Sequence, residues 1–464
     1  MASRRLVNVS GSNWFDVGKE LARQVHGKSL FAYKFDREAY TEEKEIQDLW
    51  SKQLAPTAKR SMKRLTPNAF ELCDGFDSVL SETVGGFNCW ELLTLYEVDM
   101  YLHEFHYKCH SCKSRIMKGL RYICDGCSTK TDSPKKKKQT DPTAPIGIAS
   151  VCESCVTENP ACAICSSPLT STPVLYETDG LGIANKSGCT GFGFSVSNDT
   201  VLCGQTLEMA TDTYNYGRFD TIYKLTNSTT GVSVLVYDVG CILSPFGINS
   251  AGFGLCVFNL YNSDYSTPPY QDSELRLPMA SLQWEVLLRG SRNLDEAVDF
   301  LQKAACTFTS ASFILTSSAD RDTTVIEITA NNSWIPEEYE AACDNEDNQP
   351  PAVLVNSSKN TKVIVRANNC LAGSALKSTE SLPPNISSHK RQKDLFDSFQ
   401  ANTEWPDVEW LKQALSSETI QTDYCLGTIV MEPQELKMHV RFRVGTRISS
   451  TLKNGGKWET FSLV

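Results

Sequence analysis

The sequence predicts an α+β protein in which two strand-built layers carry helices on their outer faces and a small cysteine-bound module is inserted between helical and β-rich parts. Three observations predict it. The first hundred of the 464 residues place apolar side chains at three- to five-residue spacing, the period of a helix with one buried face. Between residues 103 and 170, eight of the 18 cysteines fall in four Cys-x-x-Cys pairs. From Leu175 onward, short apolar runs alternate with turns bearing Asn, Ser and Gly. A hydrophobic fraction of 41% with 22% charged residues suits a folded globular chain. A net charge of −10 argues against nucleic acid as a partner, because phosphate binding needs a basic face. No run of about 18 apolar residues is present, so no membrane span is expected. No apolar stretch follows Arg4-Arg5, so no secretory signal is expected and the expected location is cytoplasmic.

Trp14, Val17, Leu21, Val25 and Leu30 predict a first helix from Asn13 to about Tyr33. A second begins near Thr41, an N-cap candidate followed by acidic residues, and carries Ile46, Leu49, Trp50 and Leu54 on one face. Pro56 is expected to end it, since proline removes an N–H and clashes with the preceding turn. A third segment follows Thr66-Pro67, and a helix from Glu91 to about His103 follows the Gly85-Gly86 turn. Residues 1–102 thus form a helical part that must bury its apolar faces against the rest of the chain.

Cys109/Cys112, Cys124/Cys127, Cys152/Cys155 and Cys162/Cys165 supply eight thiols, enough for two structural Zn²⁺ ions with four sulfurs each. Each pair sets two sulfurs on one tight knuckle, and a chain without a secretory signal favours metal over disulfides. The run Cys109-His-Ser-Cys112, Gly119-Leu-Arg-Tyr-Ile-Cys124-Asp-Gly-Cys127 and Val151-Cys152-Glu-Ser-Cys155 resembles a ZZ-type zinc finger. That resemblance implies cross-braced pairing, first couple with third and second with fourth, and a protein tail as the bound partner. The chain departs from the finger in ending on Cys162/Cys165 where histidines are usual, and in placing 24 residues between Cys127 and Cys152. That spacer holds Lys135–Lys138, a solvated loop by composition, with a nuclear-import signal as the sharper alternative.

In residues 171–464, strands are predicted at Gly191–Val196, Val201–Glu208, Phe219–Leu225, Val232–Val239 and Phe253–Leu260. Asn227-Ser-Thr-Thr-Gly231 and Asn249-Ser-Ala-Gly252 read as hairpin turns. Two helices follow at Ser281–Leu288 and Leu294–Ala305, the second with Asn293 as N-cap and Glu296 three residues on. Further strands are expected at Ala311–Thr316, Thr323–Thr329 and Lys362–Arg366, then helices at Lys393–Gln400 and Asp407–Leu415. The chain closes on Thr428–Met431, Lys437–Val444 and Trp458–Leu463.

The chemistry is constrained by the histidines. There are six, and three of them sit beside the cysteine cluster, leaving His389 and His439 as the bases of the β-rich part with no motif around them. A nucleophile can instead be activated by its own α-amine when it is the first residue of a chain. An α-amine with a reference pKa of about 7.7–8.0 can accept a thiol proton near neutrality. Ser187-Gly188-Cys189 offers small residues before a cysteine, so cleavage between Gly188 and Cys189 would create such a group.

Gly188-Cys189-Thr190, followed by Gly204-Gln205-Thr206-Leu207-Glu208, resembles the start of the mature β-subunit in N-terminal-nucleophile hydrolases of the penicillin acyltransferase and choloylglycine hydrolase branch. Phe246-Gly-Ile-Asn249 through Asn259, Val365-Arg-Ala-Asn368-Asn369-Cys370 and Ser387-Ser-His-Lys-Arg391 are similar to later segments of that family. The resemblance implies a four-layer αββα sandwich, self-cleavage into two chains, and residues 1–102 as the propeptide-like part. It further implies Cys189 as nucleophile and its amine as base, with Glu208 holding that amine where the family has aspartate. Asn259 would donate to the oxyanion, Asn368 would orient the amine or substrate carbonyl, Arg391 would support the nucleophile, and Gln205 would bind substrate, at a position that is arginine in bile-salt hydrolases and glutamine in penicillin acyltransferase. The expected activity is hydrolysis or acyl transfer from an amide or thioester, with zinc and no organic cofactor. The alternative is an inactive scaffold whose zinc module binds protein.

Overall fold

The computed structural model describes residues 6–25, 44–83, 88–94, 97, 188–196, 200–208, 220–239, 245–260, 270–271, 273–335, 353–356, 361–370, 387–402, 406–421, 425–442 and 456–464, with short strands between 107 and 173. Helix α1 spans residues 14–25. It is followed by α2 (Lys44–Leu49), α3 (Ala55–Leu65), α4 (Pro67–Thr83) and α5 (Cys89–Leu93). Strand β1 is Leu6–Gly11, and the cysteine-rich segment holds β2 (Tyr107–Lys108), β3 (Arg115–Ile116), β4 (Leu120–Ile123), β5 (Ser150–Cys152) and β6 (Thr170–Pro173). Then come β7 (Gly188–Val196), β8 (Thr200–Glu208), β9 (Asp220–Asn227), β10 (Ser233–Val239), β11 (Phe246–Asn249) and β12 (Phe253–Asn259). Helices α6 (Met279–Leu288) and α7 (Leu294–Lys303) precede β13 (Ala311–Ser317), β14 (Asp322–Ile328), β15 (Ser333–Trp334), β16 (Val353–Asn356) and β17 (Thr361–Arg366). The chain ends with α8 (Ser387–Ala401), α9 (Val408–Leu415), β18 (Cys425–Glu432), β19 (Lys437–Phe442) and β20 (Trp458–Ser462).

Eight strands form one sheet in the order β1-β9-β10-β11-β12-β13-β14-β15, and seven form a second in the order β16-β17-β7-β8-β18-β19-β20. The protein is therefore mixed α+β with two large sheets. These pack face to face through β12, β13 and β14 on β7 and β8, while α6 and α7 cover the first sheet and α8 and α9 the second. Burial follows the period-2 rule for strands. On β7, Phe192 and Phe194 join Leu395, Phe396, Leu411 and Leu415 under α8 and α9. Gly191 and Gly193 face the other sheet instead, where a Cβ would meet Phe258 and Ile314 at 2.5 and 2.6 Å.

The helical part packs on α6 through one continuous apolar core that also includes strands of the first sheet. Three differences from the sequence expectation have clear causes. Pro56 does not end its helix: Trp50–Leu54 widens to a π-turn in which the Ala55 N–H reaches the Trp50 carbonyl, and Pro56 falls in the first turn of α3, where its missing N–H costs nothing. Strand β1 is unforeseen, because Leu6–Gly11 is short and half polar; it gains its place by pairing parallel to β9. The strand carrying Cys189 starts at Gly188 rather than Gly191, so the cysteine is a ladder residue and not part of a turn.

Both predicted turns form, with Gly231 at φ 74° and Gly252 at φ 77°. The expected zinc ligation does not find a counterpart among the described residues, where no cluster of three or more His, Cys, Asp or Glu could hold a metal. Of the eight expected ligands, Cys152 is described by its backbone alone, in β5, while Cys109, Cys112, Cys124, Cys127, Cys155, Cys162 and Cys165 lie outside the described residues. The loop Lys135–Lys138 lies outside them too. Among the described residues no helix is long and apolar enough to cross a membrane.

Candidate active site

Antiparallel pairing of β7 with β8 sets Gly188 opposite Glu208 and Cys189 opposite Leu207. Cys189 is 3% exposed and belongs to the apolar core between the sheets. Its backbone nitrogen donates to Asn368 Oδ1 at 2.7 Å, and its carbonyl accepts from Arg391 Nη1 at 2.9 Å. Arg391 Nη1 also donates to the Thr190 hydroxyl, while Nη2 donates to Asn368 Oδ1 at 3.2 Å. The Glu208 carboxylate lies 3.7 Å from the Arg391 guanidinium, both side chains almost fully buried. Burial first, then the negative Glu208, pushes the Cys189 thiol up to about 12, against the pull of Arg391 and the Glu208 N–H bonded to the sulfur. Such a thiol stays protonated at neutral pH and needs a base at the moment it attacks.

Asn368 is the hub. Its Nδ2 donates to the Asn259 carbonyl at 3.0 Å, so one carboxamide ties the cysteine nitrogen to the end of β12 on the other sheet. The turn after β17 is closed by Ser388, whose hydroxyl accepts from the Asn368 N–H at 2.8 Å and donates to Asn369 Oδ1 at 2.9 Å. Ser388 and Arg391 are one turn apart on α8, which starts at Ser387 rather than Lys393 and so brings both to the strand.

Gly188 is required for a steric reason: a Cβ there would stand 2.4 Å from Arg391 Nη2 and 2.6 Å from Asn368 Oδ1. Gln205 is buried and engages the backbone of Val257 on the facing sheet, accepting from its N–H at 2.7 Å and donating to its carbonyl at 3.3 Å. It thus fixes β12 two residues before Asn259.

The structure brings Gly188, Cys189, Glu208, Asn368, Arg391 and the backbone of Asn259 together. His439 lies apart from them, its two ring nitrogens bonded to Glu432 and Thr460 at 2.7 and 2.9 Å. Sequence reasoning missed Thr190, Ser388 and Arg366. All three lie within quoted motifs, but nothing in the local pattern says which partners their side chains meet.

Among solved structures, a Caenorhabditis elegans N-acylethanolamine-hydrolyzing acid amidase ortholog is similar over 53% of this chain and 93% of that one, with 15% identity and a TM-score of 0.36. Penicillin V acylase from Agrobacterium tumefaciens is similar over 60% of this chain and 92% of that one, with 13% identity and a TM-score of 0.29. No family model and no curated protein matches the chain.

Proposed function

We propose that this chain is an amide hydrolase or acyltransferase of the N-terminal-nucleophile kind, activated by its own cleavage between Gly188 and Cys189. One observation carries the reading: the main chain of a buried cysteine is held on both sides, its nitrogen by Asn368 Oδ1 at 2.7 Å and its carbonyl by Arg391 Nη1 at 2.9 Å. In the first step the Cys189 sulfur attacks the Gly188 carbonyl, the C–N bond breaks as the nitrogen takes the thiol proton, and water hydrolyses the thioester. The new α-amine remains hydrogen-bonded to Asn368, across from Glu208, which sits opposite the departed Gly188 in the ladder.

In turnover the amine takes the thiol proton as sulfur attacks the substrate carbonyl. The Asn259 carboxamide donates to the developing oxyanion, a contribution of about 2.7–4 kcal/mol for a well-placed donor. The amine returns the proton to the leaving nitrogen, and water or a second amine takes the acyl group from sulfur. Arg391 holds the cysteine carbonyl and pairs with the Glu208 carboxylate, which places a counter-charge beside the amine. Gln205 supports this wall of the substrate site through Val257.

The inserted segment is proposed to hold two structural Zn²⁺ ions on its eight thiols, from Cys109 through Cys165. Eight soft sulfur donors suit zinc. First-with-third pairing is supported by the backbone: β2, which leads into Cys109, packs beside β5, which ends at Cys152.

Intact mass spectrometry of the purified protein tests the reading. Two fragments meeting at Gly188/Cys189 are expected, with Cys189→Ala remaining whole. A wild-type protein that stays a single chain overturns it.

A further inference from the structure

Arg366 is among the largest fully buried side chains of the described residues. It ends β17 opposite Gly191 of β7, on the face that Gly191 shares with Cys189. The guanidinium crosses to the first sheet, where Nε donates to the Ser312 hydroxyl at 3.0 Å and Nη2 to Glu327 Oε1 at 2.8 Å. Ser312 and Glu327 are themselves directly opposed on β13 and β14. The same Nη2 donates to the Asn369 carbonyl at 2.8 Å, one residue after the Asn368 carboxamide.

Both charges are shielded completely from water. Taking two ions out of water costs about as much as their attraction returns, so a pair of this kind is a poor device for stability alone. Arg366 Nη1 makes the balance worse, being buried with no hydrogen-bond partner among the described residues. What the pair does have is position. It fixes the Ala367–Asn369 turn to the facing sheet, and that turn aims one carboxamide at the Cys189 nitrogen and at the Asn259 carbonyl.

We propose that Arg366 and Glu327 are a positioning pair for the self-cleavage and turnover of Cys189, setting the Asn368 carboxamide against the cysteine nitrogen. The inference rests on the function proposed above. Arg366 touches none of the reacting atoms; it acts through the turn. A displacement near 1 Å in such a group slows reaction by about 10²-fold.

The experiment follows cleavage of the full chain after pulse synthesis in a cell-free system, with the urea midpoint of each purified variant measured in parallel. Arg366→Met together with Glu327→Leu removes both charges and keeps bulk. It is expected to retain the wild-type midpoint and to cleave about 100-fold more slowly. Arg366→Lys keeps the charge but not the forked donors, and is expected to restore part of the rate, to about 10-fold below wild type. Should the double variant fail to fold, Arg366→Lys decides: a wild-type cleavage rate overturns the proposal and the partial loss sustains it. Wild-type cleavage by a folded double variant also overturns it. A wild-type chain that never splits overturns the parent reading, and this one falls with it.

Discussion

Cys189 is a poor nucleophile by its surroundings alone, and its neighbours explain how the site meets that difficulty. Burial and Glu208 hold its thiol near 12, so at neutral pH ionised sulfur is scarce and a base must act within hydrogen-bond reach. The residues around it bond to its backbone nitrogen and carbonyl, which makes the main chain the part under control. Gly188→Ala tests that control. The new methyl group has to displace the Arg391 guanidinium or the Asn368 carboxamide, both buried and already bonded. Cleavage of this variant is expected to slow by about 10²-fold, measured as the fraction of intact chain over time. Cys189→Ala is expected to abolish it while leaving the melting temperature within a few degrees, because the site is already apolar on the side facing the sheets. Glu208→Gln keeps the side-chain shape and removes the charge beside Arg391. It leaves Arg391 without its buried counter-charge, so a lower urea midpoint is expected together with a lower rate, which cleavage half-lives at pH 7 check.

At the scale of elements, the sequence reveals periodicity well and close approach badly. The helices α6, α7 and α9 and most strands of both sheets follow from apolar spacing and capping residues. Asn293 accepts from Glu296 N–H at 2.9 Å, as its position three residues before glutamate predicts. The start of α8 and the whole of β1 were not legible. Ser387–Lys390 is polar and β1 depends on a partner over 200 residues away, so local pattern holds no trace of either. The crossing of α1 and α4 was equally hidden. Gly18 and Gly75 lie mid-helix, where glycine is unfavourable, and the reason is contact: a Cβ on Gly18 would fall 2.0 Å from the Leu72 carbonyl oxygen, and one on Gly75 2.0 Å from that of Phe15. The atoms struck are backbone, so no rotamer change relieves them. Gly75→Ala is expected to destabilise by about 1–3 kcal/mol despite its better helix propensity, read as a fall in the urea midpoint. The site shows the same division. Cys189, Asn368 and Arg391 could be picked out by motif, whereas Arg366 became visible only when β13, β14 and β17 were set side by side.

For the whole molecule, cleavage at Gly188 would divide the chain without dividing the fold. β1 belongs to the first fragment yet forms an edge of the eight-stranded sheet, paired along six positions with β9 of the second. Two buried carboxylates tie the same fragments through helix N-termini, where unpaired N–H groups favour negative charge. Glu285 on α6 accepts from the Ala69 N–H and the Asn68 carboxamide at the start of α4, both at 2.9 Å. Glu97 accepts from the Met279 N–H at the start of α6, at 2.8 Å. The two fragments are therefore expected to co-elute under native conditions and to separate only in denaturant. Glu97 makes that union sensitive to pH. Burial raises its carboxyl from the ordinary 4.5 to about 7, against the Met279 N–H, and its Oε2 has no hydrogen-bond partner among the described residues. A carboxyl raised on folding binds more protons in the folded state between those two values, so stability is fully present below 4.5 and falls as pH rises through 7. The integrated loss is on the order of 3 kcal/mol. Glu97→Gln keeps an oxygen for the Met279 N–H and cannot ionise. Its melting temperature is expected to match wild type at pH 4 and exceed it above pH 7.5, and parallel pH profiles for the two proteins would remove Glu97 as the group responsible.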